Sequence, residues 1–474
     1  MKKLYIFLLA GIIATASSCT YTFPEDEVLT AGAADFTKVV AVGNSLTAGY
    51  MNGALYDAGQ AASFANIIAQ QIYLNGGGEF NQPDINAVDG YYGLAGSTVL
   101  GRLHLVNPAS PAPSPIIPGQ PITPYSGGKS LNNFGVPGMK IGDFNLPGYG
   151  HSTLGNPYFA RFASSDATTM QADVTAANGT FFTFWLGNND ALGYALEGAT
   201  NPSDLTSVGD FRDSYIAAIA AMTANGAKGI IANVPNVQDI PHFTTVPWNS
   251  IPMDAATAEA TNGAYAPYNG GLDAMVANQL LTQGEADLRY ISFEEGQNGV
   301  VIIDEELTDL TDFNPALVSM RMTNSDDLLT LSSGAVLGTL ADSSNPSSVI
   351  GVGVPLGEVY TLTLANQNAI ANRTAEFNAV IASEVSASNG NLALLDINSI
   401  FADFAQNGAS VHGAGMDATI LPPFGAFSLD GVHPNARGSA YVASLFIDEI
   451  NKVFGSNIPN VNPNNWPGNE LPVP

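Results

Sequence analysis

The chain of 474 residues holds one cysteine, Cys19, so it can form no internal disulfide and its core rests on burial alone. With 46% hydrophobic residues it is long and apolar enough to bury one. Basic residues are scarce: 14 Lys and Arg stand against 42 Asp and Glu, a net charge of −28. Such a surface repels phosphate backbones, which argues against nucleic acid as a partner. Charged residues of both signs make up only 12%, so Gly, Ala, Asn, Ser and Thr fill the surface. CxxC and HExxH patterns are absent, which removes the common zinc signatures. Gly351-Val352-Gly353-Val354-Pro355-Leu356-Gly357 lacks the spacing of a dinucleotide motif. Gly127-Gly128-Lys129-Ser130 ends like a P-loop, but Thr123 stands where the first glycine must be. Neither a metal nor a cofactor is expected. GxSxG is also missing, which disfavours the nucleophile elbow of the α/β-hydrolases.

The first residues read as a targeting segment. Lys2 and Lys3 precede an apolar run, Leu4 to Ala14, that is too short to span a bilayer, which takes ~20 residues. Ala16-Ser17-Ser18-Cys19 resembles a bacterial lipobox, with Ala16 where leucine is usual. The resemblance implies cleavage before Cys19 and lipidation of its sulfur, hence a membrane anchor in the cell envelope. The other reading is an ordinary signal peptide, residues 1–18, with an incidental cysteine. Residues 19–36 then read as a tether, carrying acidic Pro24-Glu25-Asp26-Glu27. No later run reaches transmembrane length.

From residue 37 to 457, strands alternate with helices, which predicts a parallel sheet covered on both faces. Five strands are expected, near 38–43, 130–134, 181–186, 228–234 and 391–397. Helices are expected on the spacing of Phe64, Ile67, Ile68 and Ile72, and of Phe211, Tyr215, Ile219 and Met222. Two more cover 364–385 and 436–454, the last burying Val442, Phe446, Ile450 and Val453. Two insertions interrupt this pattern. Residues 76–128 are loop-rich and proline-dense from Pro108 to Pro124, which excludes a helix or a central strand there. Residues 236–362 show little periodicity and read as an insertion or a small subdomain. At least one of the two is expected to wall the cleft above Ser45 and set acyl or alcohol specificity. Residues 458–474 form a tail.

Chemistry concentrates where strands end. Val39-Val40-Ala41-Val42 is a strand buried on both faces, and it delivers Ser45 to its carboxyl end, where open α/β sheets bind ligands. A serine there either caps the next helix or acts as a nucleophile. Of five histidines, only His433 has a carboxylate at a telling distance, Asp430, in Asp430-Gly431-Val432-His433-Pro434. Asp430 can fix the imidazole tautomer and leave the other ring nitrogen to take the serine proton. Gly138 and Asn189, each after a predicted strand, can donate N–H groups to an oxyanion, or can simply serve turns.

Gly43-Asn44-Ser45-Leu46, Asn133-Phe134-Gly135-Val136-Pro137-Gly138, Gly187-Asn188-Asn189-Asp190 and Asp430-Gly431-Val432-His433 resemble blocks I, II, III and V of the GDSL/SGNH hydrolases, in that order. The resemblance implies a flavodoxin-like three-layer α/β/α fold and ester hydrolysis through an acyl-enzyme. It implies Ser45 as nucleophile, His433 as base and Asp430 as its partner. The oxyanion donors would be the Ser45 and Gly138 N–H groups and the Asn189 amide. Block I departs from the family at Asn44, where aspartate is usual; asparagine keeps the acceptor oxygen and loses the charge. The substrate would be an ester of a lipid, a glycan or a small alcohol. A non-catalytic glycan-binding lipoprotein on the same scaffold and an acyltransferase are the alternatives.

Overall fold

The computed structural model describes residues 29–107, 112–128 and 130–471. Cys19, the targeting segment and most of the tether lie outside these residues. Val39–Gly43 forms β1, a five-residue strand buried along its whole length. The sheet is completed by β2 (Asn133–Gly135), β3 (Phe181–Trp185), β4 (Lys228–Ala232) and β5 (Leu392–Leu395). All pairings are parallel, in the order β5-β4-β3-β1-β2. Read from the other edge this is 2-1-3-4-5, the flavodoxin-like order, whose direction reverses between β1 and β3. The expected three-layer α/β/α architecture is therefore present.

The main helices are α1 (Phe64–Leu74), α2 (Met170–Ala177), α3 (Asn189–Leu196), α4 (Val208–Thr223), α5 (Ala255–Ala277), α6 (Leu364–Ala387), α7 (Ile397–Asn407) and α8 (Ala436–Phe454). Alternation along the strands decides which helix meets which face. Val39, Ala41, Phe181, Trp185 and Ile230 pack against Ile68 and Ile72 of α1 and Phe446 and Ile450 of α8. Val40, Val42, Phe182, Phe184 and Ile231 pack against α2, α4 and α6. There Phe211 of α4 stacks on Phe377 of α6 with ring centroids 3.9 Å apart. Each such buried side chain contributes roughly 1.5–3 kcal/mol.

Three sequence expectations change. The strand expected at 130–134 is Asn133–Gly135, because Asn132 instead gives its side-chain amide to the Val39 carbonyl. Val453 is exposed, since at 3.6 residues per turn Phe454 takes the place below Ile450. The segment 236–362 contains the 23-residue α5, with Ala258, Tyr265, Tyr268 and Leu272 buried. Gly263, Pro267, Gly270 and Gly271 mask that stripe in the sequence, and packing overrides their poor propensity. This segment has its own hydrophobic cluster, including Val301, Ile302, Leu317 and Leu356. Segment 76–128 is mostly irregular, as expected, and carries two short hairpins, Gly93–Ala95 with Thr98–Leu100 and Leu103–Val106 with Ala112–Pro115. Among the described residues no helix is long and apolar enough to cross a membrane.

Candidate active site

Ser45 opens a single helical turn, Ser45–Ala48, directly after β1 and beside the point where the strand order reverses. Asn44 caps that turn: its side-chain oxygen accepts from the Leu46 N–H at 3.1 Å. The acceptor is what the cap uses, and asparagine supplies it as well as aspartate. The turn lies so close to β2 that a Cβ on Gly135 would meet the Ala48 nitrogen at 2.2 Å, so only glycine fits there.

His433 reaches the site from the loop before α8. Its Nε2 lies 2.8 Å from Ser45 Oγ, and its Nδ1 lies 3.1 Å from Asp430 Oδ2. A carboxylate only accepts, so Nδ1 carries the hydrogen and Nε2 is free to accept from the serine hydroxyl. Asp430 also receives the backbone N–H groups of Val432, His433 and Gly53, each at 2.9 Å. Burial alone would raise its pKa. The adjacent imidazole and these hydrogen bonds overcome burial and hold the carboxyl well below the usual carboxylate range. Asp430 therefore stays anionic wherever His433 can act as a base.

The loop itself is fixed from residues that no sequence motif marked. Asn52 and Gly53 form a tight turn with φ of 55° and 74°, between Met51 and Ala54, which pair with each other. Asn52 accepts from the Leu429 N–H and its own N–H donates to Ser428 Oγ, both at 2.9 Å. The Tyr50 ring lies 5.0 Å from the His433 ring, and its hydroxyl donates to the Gly53 carbonyl. Asn-Gly is a turn signal in any sequence, but its target, Asp430, is 377 residues away.

Unused donors stand at the ends of β1 and β2. The N–H groups of Ser45 and Gly138 make no hydrogen bond among the described residues. Gly138 is exposed at a turn beyond β2, and Val136 N–H bonds the Gly43 carbonyl at 3.0 Å, which sets the end of β2 beside the end of β1. The Asn189 amide, at the start of α3, gives one N–H to the Met139 carbonyl at 3.0 Å and keeps a second. Asp190 locks the same two segments by accepting from the Ile141 N–H at 2.9 Å. Burial pushes its carboxyl up to about 6, against the pull of that hydrogen bond. Asn156 ties the turn from below by donating to the Pro137 carbonyl.

The structure thus links Ser45, His433 and Asp430 directly and attaches Asn189 to the turn that carries Gly138. Of the other histidines, His151 sits at the surface 3.7 Å from Asp166, and His242 meets the site loop through its N–H to the Gly431 carbonyl at 2.8 Å and through its ring, which interacts with Asp430. Among the described residues no group of three or more His, Cys, Asp or Glu could hold a metal ion.

No family model and no curated protein matches this chain. Among solved structures it is similar to two mutants of Axe2, an acetyl-xylooligosaccharide esterase from Geobacillus Stearmophilus. Each is 9% identical, with a TM-score of 0.34, over 88% of this chain and 95% and 96% of the two neighbours.

Proposed function

We propose that this chain is a serine ester hydrolase of the GDSL/SGNH type, acting through an acyl-enzyme. The observation that carries the reading is the hydrogen-bonded line Ser45–His433–Asp430, with the Ser45 and Gly138 N–H groups left without a partner among the described residues. Ser45 Oγ attacks the ester carbonyl carbon as its proton passes to His433 Nε2. The carbonyl oxygen becomes an oxyanion and accepts from the Ser45 and Gly138 N–H groups and the Asn189 amide. Asp430 stabilises the imidazolium without taking its proton. The tetrahedral adduct collapses, the alcohol leaves with the proton from Nε2, and Ser45 keeps the acyl group. Water then repeats the sequence and releases the acid.

Incubation with p-nitrophenyl acetate and, separately, with an alkyl fluorophosphonate tests this. Release of nitrophenol and a covalent adduct on Ser45 are expected. An enzyme that labels elsewhere and turns over no ester sinks the reading. Envelope anchoring through Cys19 belongs to the same proposal and rests on the lipobox resemblance. Labelled fatty acid should enter the wild-type chain and not the Cys19→Ala chain, which should leave the membrane fraction.

A further inference from the structure

At the carboxyl ends of β3, β4 and β5 lies a pocket of about 540 Å³, open solvent at its mouth included. Its walls include Leu46, Trp185, Ile240, Phe401, Val432 and Pro434. No charged side chain lines it. The Trp185 indole N–H is already committed to the Asn233 carbonyl at 3.1 Å. Tyr441 brings the one other polar group of the wall, its hydroxyl, and the remaining surface is apolar, so an apolar group gains by entering.

The pocket shares its walls with the chemistry. Leu46 follows Ser45 directly, and Val432 and Pro434 flank His433. Another face of the imidazole meets hydroxyl-bearing rings: Tyr50 lies against it, and Tyr158 packs edge-on to Tyr50 at 6.1 Å. During turnover the acyl half of an ester stays bonded to Ser45, while the alcohol half departs and water enters. A pocket walled by the serine's own neighbour serves the half that stays.

Resting on the esterase reading, we infer that this pocket takes the acyl chain of the substrate, a hydrocarbon of several carbons and not an acetyl group. The test compares kcat/KM for p-nitrophenyl esters from acetate to octanoate with kcat/KM for acetate esters of alcohols from ethanol to octanol. The acyl series should rise by roughly threefold to fourfold per added methylene until the pocket is full. The alcohol series should stay flat. Phe401, half-buried on α7, is the wall residue to change. Phe401→Glu places a charge on the wall and should lower the octanoate-to-acetate ratio tenfold or more, with Tm reporting the fold. A rise in the alcohol series alone, or no rise in either while acetate is hydrolysed, overturns the inference and leaves the esterase reading standing. Calorimetry with octanoate on the Ser45→Ala protein reads the pocket without turnover. Binding with a negative heat-capacity change, weakened by Phe401→Glu, is expected. If octanoate binds this way and no ester is hydrolysed, the esterase reading falls and the pocket stands as an acyl-chain site. If octanoate does not bind and longer acyl chains are not preferred, the pocket assignment falls.

Discussion

The two long segments that interrupt the sheet meet the site in different ways. Segment 76–128 has little core of its own and leans on the loops that hold Asp430. Leu103 and Leu105 cluster with Leu429, and the Leu103 N–H donates to the Asn52 carbonyl at 2.8 Å. Arg102 lies over the Tyr56 ring at 5.1 Å, and the Tyr56 hydroxyl accepts from the Asn52 amide at 3.1 Å. Tyr92 covers Gly53 so closely that a Cβ there would meet the ring at 2.5 Å. Segment 236–362, in contrast, carries its own hydrophobic cluster and a buried Arg321 between Asp304 and Asp327. It meets the Asp430–His433 loop through the bond from His242 to Gly431, the His242 ring facing Asp430, and the nearby Leu331. A segment without a core is ordered by what it touches, so 76–128 and the acid–base residues hold each other in place. A segment with a core is ordered by itself, so 236–362 depends less on the Asp430 loop for its order, although His242 also faces Asp430.

The scale for that comparison comes from the serine. Ser45→Ala should cut kcat by about 10³-fold or more while leaving Tm close to wild type, since Oγ bonds only His433. Turnover near the wild-type rate on every ester would remove Ser45 from the chemistry and void the comparison. Asp430→Asn comes next, with a loss of about 10²- to 10⁴-fold in kcat, because asparagine can leave the imidazole in the wrong tautomer. It also has a signature in stability. The folded carboxyl of Asp430 is held below its unfolded value, so ionised Asp430 stabilises the fold above the ordinary carboxylate range. That contribution is lost as pH falls through the folded value. The Tm gap between wild type and Asp430→Asn should therefore be full at neutral pH and shrink below about pH 4. A gap that widens on acidification would show that the hydrogen bonds around Asp430 favour its protonated form.

Asn52→Ala probes the brace between 76–128 and Asp430. It removes the acceptor of the Leu429 N–H and the donor to Tyr56, both buried. Loss of such a bond costs ~1–3 kcal/mol, and a looser Asp430 should lower kcat by roughly tenfold with little change in KM. Combined with Asp430→Asn, the two losses should be smaller than their sum, since both act on one network. Full additivity would mean that 76–128 stabilises the fold without positioning the histidine.

Sequence reasoning located the sheet and the three directly linked residues because their signals are local. β1 and β3 are continuous apolar runs, and Asp430 and His433 sit three residues apart in one loop. What it missed is non-local. Asn52 and Gly53 carry a readable turn signal, but only folding brings them to residues 428–430. Asp190 lies in a recognisable block beside Asn189, but its role is not legible there, because its partner, the Ile141 N–H, is a backbone group with no sequence identity. The helix Ala255–Ala277 is hidden for a different reason: its buried stripe is sparse and includes the polar Asn269, and glycines and Pro267 occupy the positions between.

The smallest expected effect on turnover lies in 236–362, and it is the sharpest test of the comparison. Arg321 bonds Asp304 at 2.6 Å and both oxygens of Asp327 at 2.6 and 2.7 Å, all within the segment and all buried. Burial opposes the charge on Arg321, but the two carboxylates outweigh it and hold the guanidinium protonated. Arg321→Met leaves two carboxylates buried without a counter-charge. Breaking such a pair from one side costs about 3–5 kcal/mol, so Tm should fall clearly. Because the ion pair lies in a core that does not contain Ser45, His433 or Asp430, kcat on p-nitrophenyl acetate should stay within about twofold of wild type below the new Tm. A thermal scan with turnover measured at each temperature separates the two quantities. If turnover instead declines in step with the segment's stability while the sheet remains folded, His242 and Leu331 transmit more to Gly431 than one hydrogen bond and one packing contact suggest. Segment 236–362 would then belong with 76–128, as a second brace on the catalytic loop.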